Sequence, residues 1–216
     1  MPAPSQSQSH LRFPLTSILG SAGNLRVLRV LACDPAPRSA PEVARLAGLS
    51  PQGVRLVLDV LVRQRVVIAH GSGRAQLYAL NASHAFAGAL TTLFQEEQRR
   101  WEAVLGAIRK TLARYGTEVS AAWFYGSVAR GEDAPESDLD LAIVVHTPAV
   151  ADQVREDLQP LEDAHQLRIS LAALTPKDLA ALPDGDPWWS GVVRDGRVLL
   201  GPAPEQARRR LVKLAA

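Results

Sequence analysis

The sequence predicts an α+β chain built in two parts, and three observations carry that reading. Residues 25–63 hold helical apolar periods separated by serine caps, and a glycine-tipped pair of short apolar runs follows at 66–80. Residues 121–145 hold two strand-like runs joined through a Gly-Ser turn and an acidic loop. Charge divides in the same way: residues 1–84 carry nine arginines against Asp34, Glu42 and Asp59, net +6, whereas residues 85–216 carry fifteen basic and nineteen acidic residues, net −4. A basic part joined to an acidic part implies two units with different partners.

A chain of 216 residues, 47% hydrophobic and 21% charged, has the material for a sizeable core. No apolar run approaches the roughly 18 residues that span a bilayer. The opening Met-Pro-Ala-Pro-Ser-Gln-Ser-Gln-Ser-His is polar, without the basic-then-apolar pattern of a secretory signal, and residues 1–16 are expected to form a disordered lead. Cys33 has no second cysteine to pair with; in its apolar run a buried thiol is expected. These features point to a cytoplasmic protein with no membrane partner.

Taking the elements in order, Leu25–Leu31 places apolar residues at 25, 27, 28, 30 and 31, as a buried helix would. Ser39 stands three residues before Glu42, the spacing of a capping box, so a helix should start there and stop at Gly48. Ser50-Pro51 supplies an N-cap and a first-turn proline whose missing N–H costs nothing. The helix that opens there turns Val54, Val57, Leu58 and Leu61 inward and Gln52, Arg55, Asp59 and Arg63 outward. Val66–Ala69 and Ala75–Leu80 then flank His70-Gly-Ser-Gly-Arg74, a hairpin with a glycine-rich tip.

This order resembles winged helix-turn-helix transcription factors over residues 17–85. The resemblance implies DNA as partner. Gln52 and Arg55 would meet base edges in the major groove and Arg74 the backbone or minor groove; paired half-sites would call for a homodimer. The competing reading is a module that only contacts protein. Residues 86–116 read as a helical connector, with Trp101 in its core-facing period, and residues 203–216 as a C-terminal helix.

The second part is expected to be a mixed sheet with flanking helices over residues 117–202. Ala121–Tyr125 is a strand that delivers Gly126-Ser127 to the start of a helix, where backbone N–H groups and a hydroxyl can face an anion. Ten residues later, Asp138 and Asp140 stand two apart at the head of a strand, so both side chains share a face. Two neighbouring carboxylates repel unless a cation lies between them, as Mg²⁺ does where it bridges nucleotide phosphates. Each element alone is weak, since Gly-Ser turns and Asp-x-Asp loops are common; their fixed spacing with a strand on either side is specific.

Gly126-Ser-Val-Ala-Arg-Gly131, Ser137-Asp-x-Asp140 and the tail Val192–Gly201 resemble the DNA polymerase β-like nucleotidyltransferase superfamily, in particular its minimal branch. That resemblance implies a site in which Gly126, Ser127, Arg130 and Ser137 hold an NTP, ATP or another, and Asp138 and Asp140 hold Mg²⁺. In that family the acceptor can be a small molecule such as an aminoglycoside, or a protein such as the partner toxin of a nucleotidylating antitoxin. One position departs from the pattern. The family's third carboxylate, on a neighbouring strand, binds a metal and helps deprotonate the acceptor. Here the matching strand is Leu167–Leu174, and the third position falls on Ser170, with Arg168 as the alternate on the same face. Glu136, Asp163 and Asp195 remain as acids without a sequence-given place. Two functions follow: a nucleotidyltransferase, or a DNA-binding regulator or antitoxin-type repressor whose second domain senses nucleotide or docks a partner.

Overall fold

Ser21, Ser39 and Ser50 each accept a backbone N–H from the residue three positions on, and with these caps the first unit is laid out. Each such cap contributes about 1 kcal/mol. The structure, a computed structural model, describes residues 10–215, apart from the side chains of Arg74 and of residues 211–215. Most of the expected disordered lead therefore lies outside the described residues. The chain divides into two compact units, residues 1–99 and 100–216.

In the first unit, helices α1 (Leu15–Ile18), α2 (Ala22–Cys33), α3 (Ala40–Ala47) and α4 (Pro51–Arg63) pack with a small antiparallel sheet of β1 (Arg38–Ser39), β2 (Val67–His70) and β3 (Leu77–Leu80), in the order β1-β3-β2. The apolar period read from the sequence is the buried face: Val27, Leu28 and Leu31 of α2, Val43 and Ala44 of α3, and Val54, Leu58 and Leu61 of α4. Gly48 ends α3 at φ +62, a left-handed conformation in which a side chain would be strained. Asn24, buried, donates from Nδ2 to the carbonyls of Ser17 and Ile18 and so ties α1 to α2. Cys33 is exposed, contrary to the expected buried thiol. It is the last residue of α2, one step past the inward Ala32.

Helix α5 (Ala87–Ala113) covers most of the expected connector. Its first half buries Leu90 and Phe94 in the first unit; its second half buries Val104, Ile108 and Leu112 in the second. The second unit continues with β4 (Val119–Tyr125), α6 (Gly126–Arg130), β5 (Leu139–Val145), α7 (Pro148–His165), β6 (Ile169–Leu174), α8 (Pro176–Ala181), α9 (Pro187–Asp195), β7 (Arg197–Leu200) and α10 (Pro204–Ala215). Its four-stranded sheet has the order β6-β5-β4-β7, with β5 and β6 parallel and the other pairs antiparallel. The architecture is mixed α and β, as the sequence implied.

Strand alternation gives this sheet two apolar faces. Phe124, Leu139, Leu141 and Ile143 meet α7 and the second half of α5. Ala121, Trp123, Ala142 and Val144 meet Leu179, Trp189, Val192 and Ala207 from α8, α9 and α10. Trp123 is fully buried, and its Nε1 donates to the Pro202 carbonyl at 2.8 Å, so the indole loses no hydrogen bond on burial. Where β4 ends and β5 begins, the strands carry polar residues: Tyr125 closes β4, and Asp138 and Asp140 stand at the head of β5.

Candidate functional site

At that end, Leu139 points into the core while its neighbours Asp138 and Asp140 turn to the opposite face, Asp138 exposed and Asp140 half-buried. Tyr125 is the antiparallel partner of Asp140, and Gly126 follows it directly. Gly126 has φ +75, and a Cβ built on it would fall 2.1 Å from Asp140 Oδ2. The turn therefore passes against the carboxylate at a separation that only glycine permits. Ser127 stands next, and its hydroxyl makes no hydrogen bond among the described residues. The structure thus brings together Gly126, Ser127, Asp138 and Asp140. Helix α6 is only five residues long, so its dipole is correspondingly slight and the turn and hydroxyl are what an anion would meet.

Burial and, next, the neighbouring Asp138 charge hold the Asp140 carboxyl above its ordinary range, against the opposing pull of Arg130. That repulsion is what a bound cation would relieve. Among the described residues no three His, Cys, Asp or Glu side chains converge on one point. Two carboxylates fit a single Mg²⁺, which keeps water and phosphate oxygens as its other ligands. They supply no third acid as base. In the parallel pair β5–β6, Ser170 is the register partner of Asp140, and the Leu139 N–H bonds to the Arg168 carbonyl at 2.8 Å. The strand that neighbours Asp140 carries a hydroxyl there, and the preceding residue of the same alternation is Arg168.

The remaining expected ligands have partners of their own. The Ser137 hydroxyl accepts the Ala134 N–H at 3.0 Å, closing the turn before Asp138. Arg130 donates from Nε to Glu132 and from Nη1 to Asp195, both at 2.7 Å. Asp195 also takes two hydrogen bonds from Arg194, at 2.8 and 2.9 Å. These partners hold its carboxyl well below the usual range, so Asp195 is an ion-pair residue and not a spare metal ligand. Glu136 and Asp163 line a groove of 1410 Å³ together with Trp101, Phe124 and Arg168, and it adjoins the site at Ser137 and Asp138. Its apolar floor belongs to the α5/α7 face, and it meets the carboxylate pair only at Asp138.

Sequence reasoning missed the contribution of α9. Asp186 caps its first turn, and Trp189 is buried against Trp123. Trp188 does more: its Nε1 donates to the Tyr125 hydroxyl at 2.9 Å, with the rings edge-on at 5.9 Å. No signal in the sequence links positions 63 and 65 residues apart.

In the first unit, Gln52 and Arg55 are exposed on the outward face of α4, as the period required. Exposed Leu56 stands beside them. The Arg74 side chain lies outside the described residues; its backbone belongs to a 3₁₀ turn, Gly73–Ala75, at the tip of the β2–β3 hairpin.

Residues 107–182 match the family model described as Polymerase beta, Nucleotidyltransferase. The second unit thus contains a nucleotidyltransferase-type domain. The match covers β4, the Gly-Ser turn, the Asp-x-Asp head of β5 and β6 with Ser170. No curated protein matches the chain. Among solved structures, a chain of "the toxin-antitoxin with AMP-PNP" is similar at 18% identity and a TM-score of 0.37, over 51% of this chain and 86% of that one. A chain of the toxin-antitoxin MntA-HepT is similar at 16% identity and a TM-score of 0.34, over 53% and 86%. A third, from tri-AMPylated Shewanella oneidensis HEPN toxin in complex with MNT antitoxin, has 16% identity and a TM-score of 0.35, over 53% and 85%. Among the described residues, no helix is long and apolar enough to cross a membrane.

Proposed function

We propose that this protein is a nucleotide-responsive DNA-binding regulator, with an Mg-NTP site in its nucleotidyltransferase domain and a winged helix-turn-helix in its first unit. The observation that carries the nucleotide half is the approach of the Gly126 turn to Asp140 beside Asp138. In this reading Gly126 and Ser127 hold phosphate oxygens through backbone N–H and hydroxyl. Asp138 and Asp140 would hold one Mg²⁺, which offsets their mutual repulsion and neutralises phosphate charge. Ser137 shapes the turn that presents Asp138. The DNA half draws support from exposed Gln52 and Arg55 on a serine-capped helix, from the adjoining hairpin, and from the net +6 of residues 1–84. A homodimer would match paired half-sites.

A second reading is a transferase, and the intact Asp-x-Asp favours it. An acceptor hydroxyl oxygen would bond to the α-phosphorus, the bond to the bridging oxygen would break, and pyrophosphate would leave with that electron pair. The acceptor's proton then needs a base. With Ser170 where the family supplies an acid, it would pass to solvent, and such a loss lowers rates by about 10²–10⁴. Binding without efficient transfer is therefore the stronger conclusion. A protein acceptor or toxin-type partner belongs to this second reading.

Replacing Asp138 and Asp140 together by Asn tests the site. The double variant should lose Mg-dependent nucleotide binding and keep its affinity for duplex DNA; unchanged nucleotide binding would remove the metal site. Incubating the wild type with α-labelled ATP, Mg²⁺ and host lysate separates the two readings. Label on a host component, absent with the double variant, would establish transfer.

A further inference from the structure

Asp195 is the only charged side chain buried among the described residues, at 7% exposed. Burying a carboxylate is costly, and two arginines offset that cost here: Arg194 through two hydrogen bonds and Arg130 through one. A hydrophobic residue would fill the end of α9 at less cost, so packing alone gives no reason for the charge. What the carboxylate does is fix a fork. Arg130 ends α6, three residues after Ser127, and its Nε and Nη1 are committed to Glu132 and Asp195. Its Nη2 makes no hydrogen bond among the described residues, and the side chain is 36% exposed. The guanidinium is also near enough to Asp140 for its charge to act on that carboxylate. A planar fork anchored on two of its nitrogens presents the third edge in one direction, which a flexible ammonium cannot do.

We infer that Asp195 is a positioning residue that anchors Arg130 so that its free Nη2 edge serves the outer phosphates of the bound nucleotide. The inference rests on the reading of Gly126 and Ser127 as the phosphate site. It adds α9 as the wall of that site, tied to it at one end by Asp195 and at the other by Trp188 on Tyr125.

The experiment measures Mg-dependent binding of ATP, ADP and AMP to the full chain and to Asp195→Asn and Arg130→Lys, with thermal melting alongside. Arg130→Lys keeps a cation at a partly exposed position and is expected to fold even where Asp195→Asn does not. Both variants should weaken ATP by about tenfold while AMP changes little, because a charged hydrogen bond to the outer phosphates is what is lost. The double variant should be no worse than Arg130→Lys alone. A lowered melting temperature with the wild-type ATP-to-AMP preference would leave the nucleotide site standing and overturn the role of Asp195. No Mg-dependent nucleotide binding by the wild type would overturn both.

Discussion

Ser170 stands beside Asp140 across the parallel pair β5–β6, in the row where the family resemblance leads one to expect a third carboxylate. Side chains of register partners in parallel strands share a face, so an acid at position 170 would join the pair formed by Asp138 and Asp140. Ser170→Asp is therefore expected to create a stronger cation site. In EDTA the third negative charge should lower the melting temperature; added Mg²⁺ should raise it more than in the wild type. Transfer from labelled ATP should rise by about tenfold or more, since a positioned base is worth about 10²–10⁴. An identical Mg²⁺ response in both proteins would show that Ser170 does not face the site.

The nearness of position 170 to Asp140 was legible in sequence because Leu167–Leu174 reads as one strand, and Thr175-Pro176, which caps the next helix, gives that strand an end from which to count. The caps at Ser39 and Ser50 and the stop at Gly48 were legible because each is a local rule with a local spacing, whereas the reciprocal half of the Ser39 box does not form because the Glu42 carboxylate pairs with Arg38. Cys33 was misplaced because an apolar run does not say which of its last residues turns outward. The partners of Asp195 and Trp188 left no trace, since Arg130 and Tyr125 are brought to them only by the packing of α9 on α6 and β4. Sequence pattern reports periods and caps; it does not report which distant charges meet.

Asp140 should cost the free protein stability. Its carboxyl is raised by burial and by Asp138, so the folded state binds a proton more tightly than the unfolded state does. Its contribution is then favourable below the unfolded value and is lost as pH rises through the folded value. Asp140→Asn should accordingly melt higher than wild type near neutral pH in EDTA, and the advantage should shrink on acidification. It should bind no Mg-nucleotide. Melting curves across pH 4 to about 8 check the sign. A variant that melts lower at neutral pH would mean that the carboxylate is a net stabiliser.

Gly126→Ala combines two penalties at one atom. The positive φ strains any side chain by about 1–3 kcal/mol, and the new methyl would collide with Asp140 Oδ2. Relief requires Asp140 or the turn to move, and either movement separates the two halves of the proposed site. The variant should lose stability and lose Mg-dependent ATP binding more severely than Ser127→Ala. Denaturant titration and calorimetry on the same samples would test this. Wild-type nucleotide affinity in a destabilised Gly126→Ala would show that the turn does not touch the ligand.

Arg55 separates base reading from phosphate attraction in the first unit. It is exposed on α4 one turn beyond Gln52, and neither side chain has an ion-pair partner among the described residues. A contact to a base edge is worth about 1–3 kcal/mol of discrimination, whereas a phosphate contact weakens all duplexes alike and changes the salt dependence by roughly one ion. After a preferred duplex is selected from a random pool, Arg55→Ala should lose about tenfold or more on that duplex and little on a scrambled one. Equal losses on both, with a salt slope reduced by about one, would move Arg55 to the backbone. Full affinity on both would take α4 out of the DNA interface.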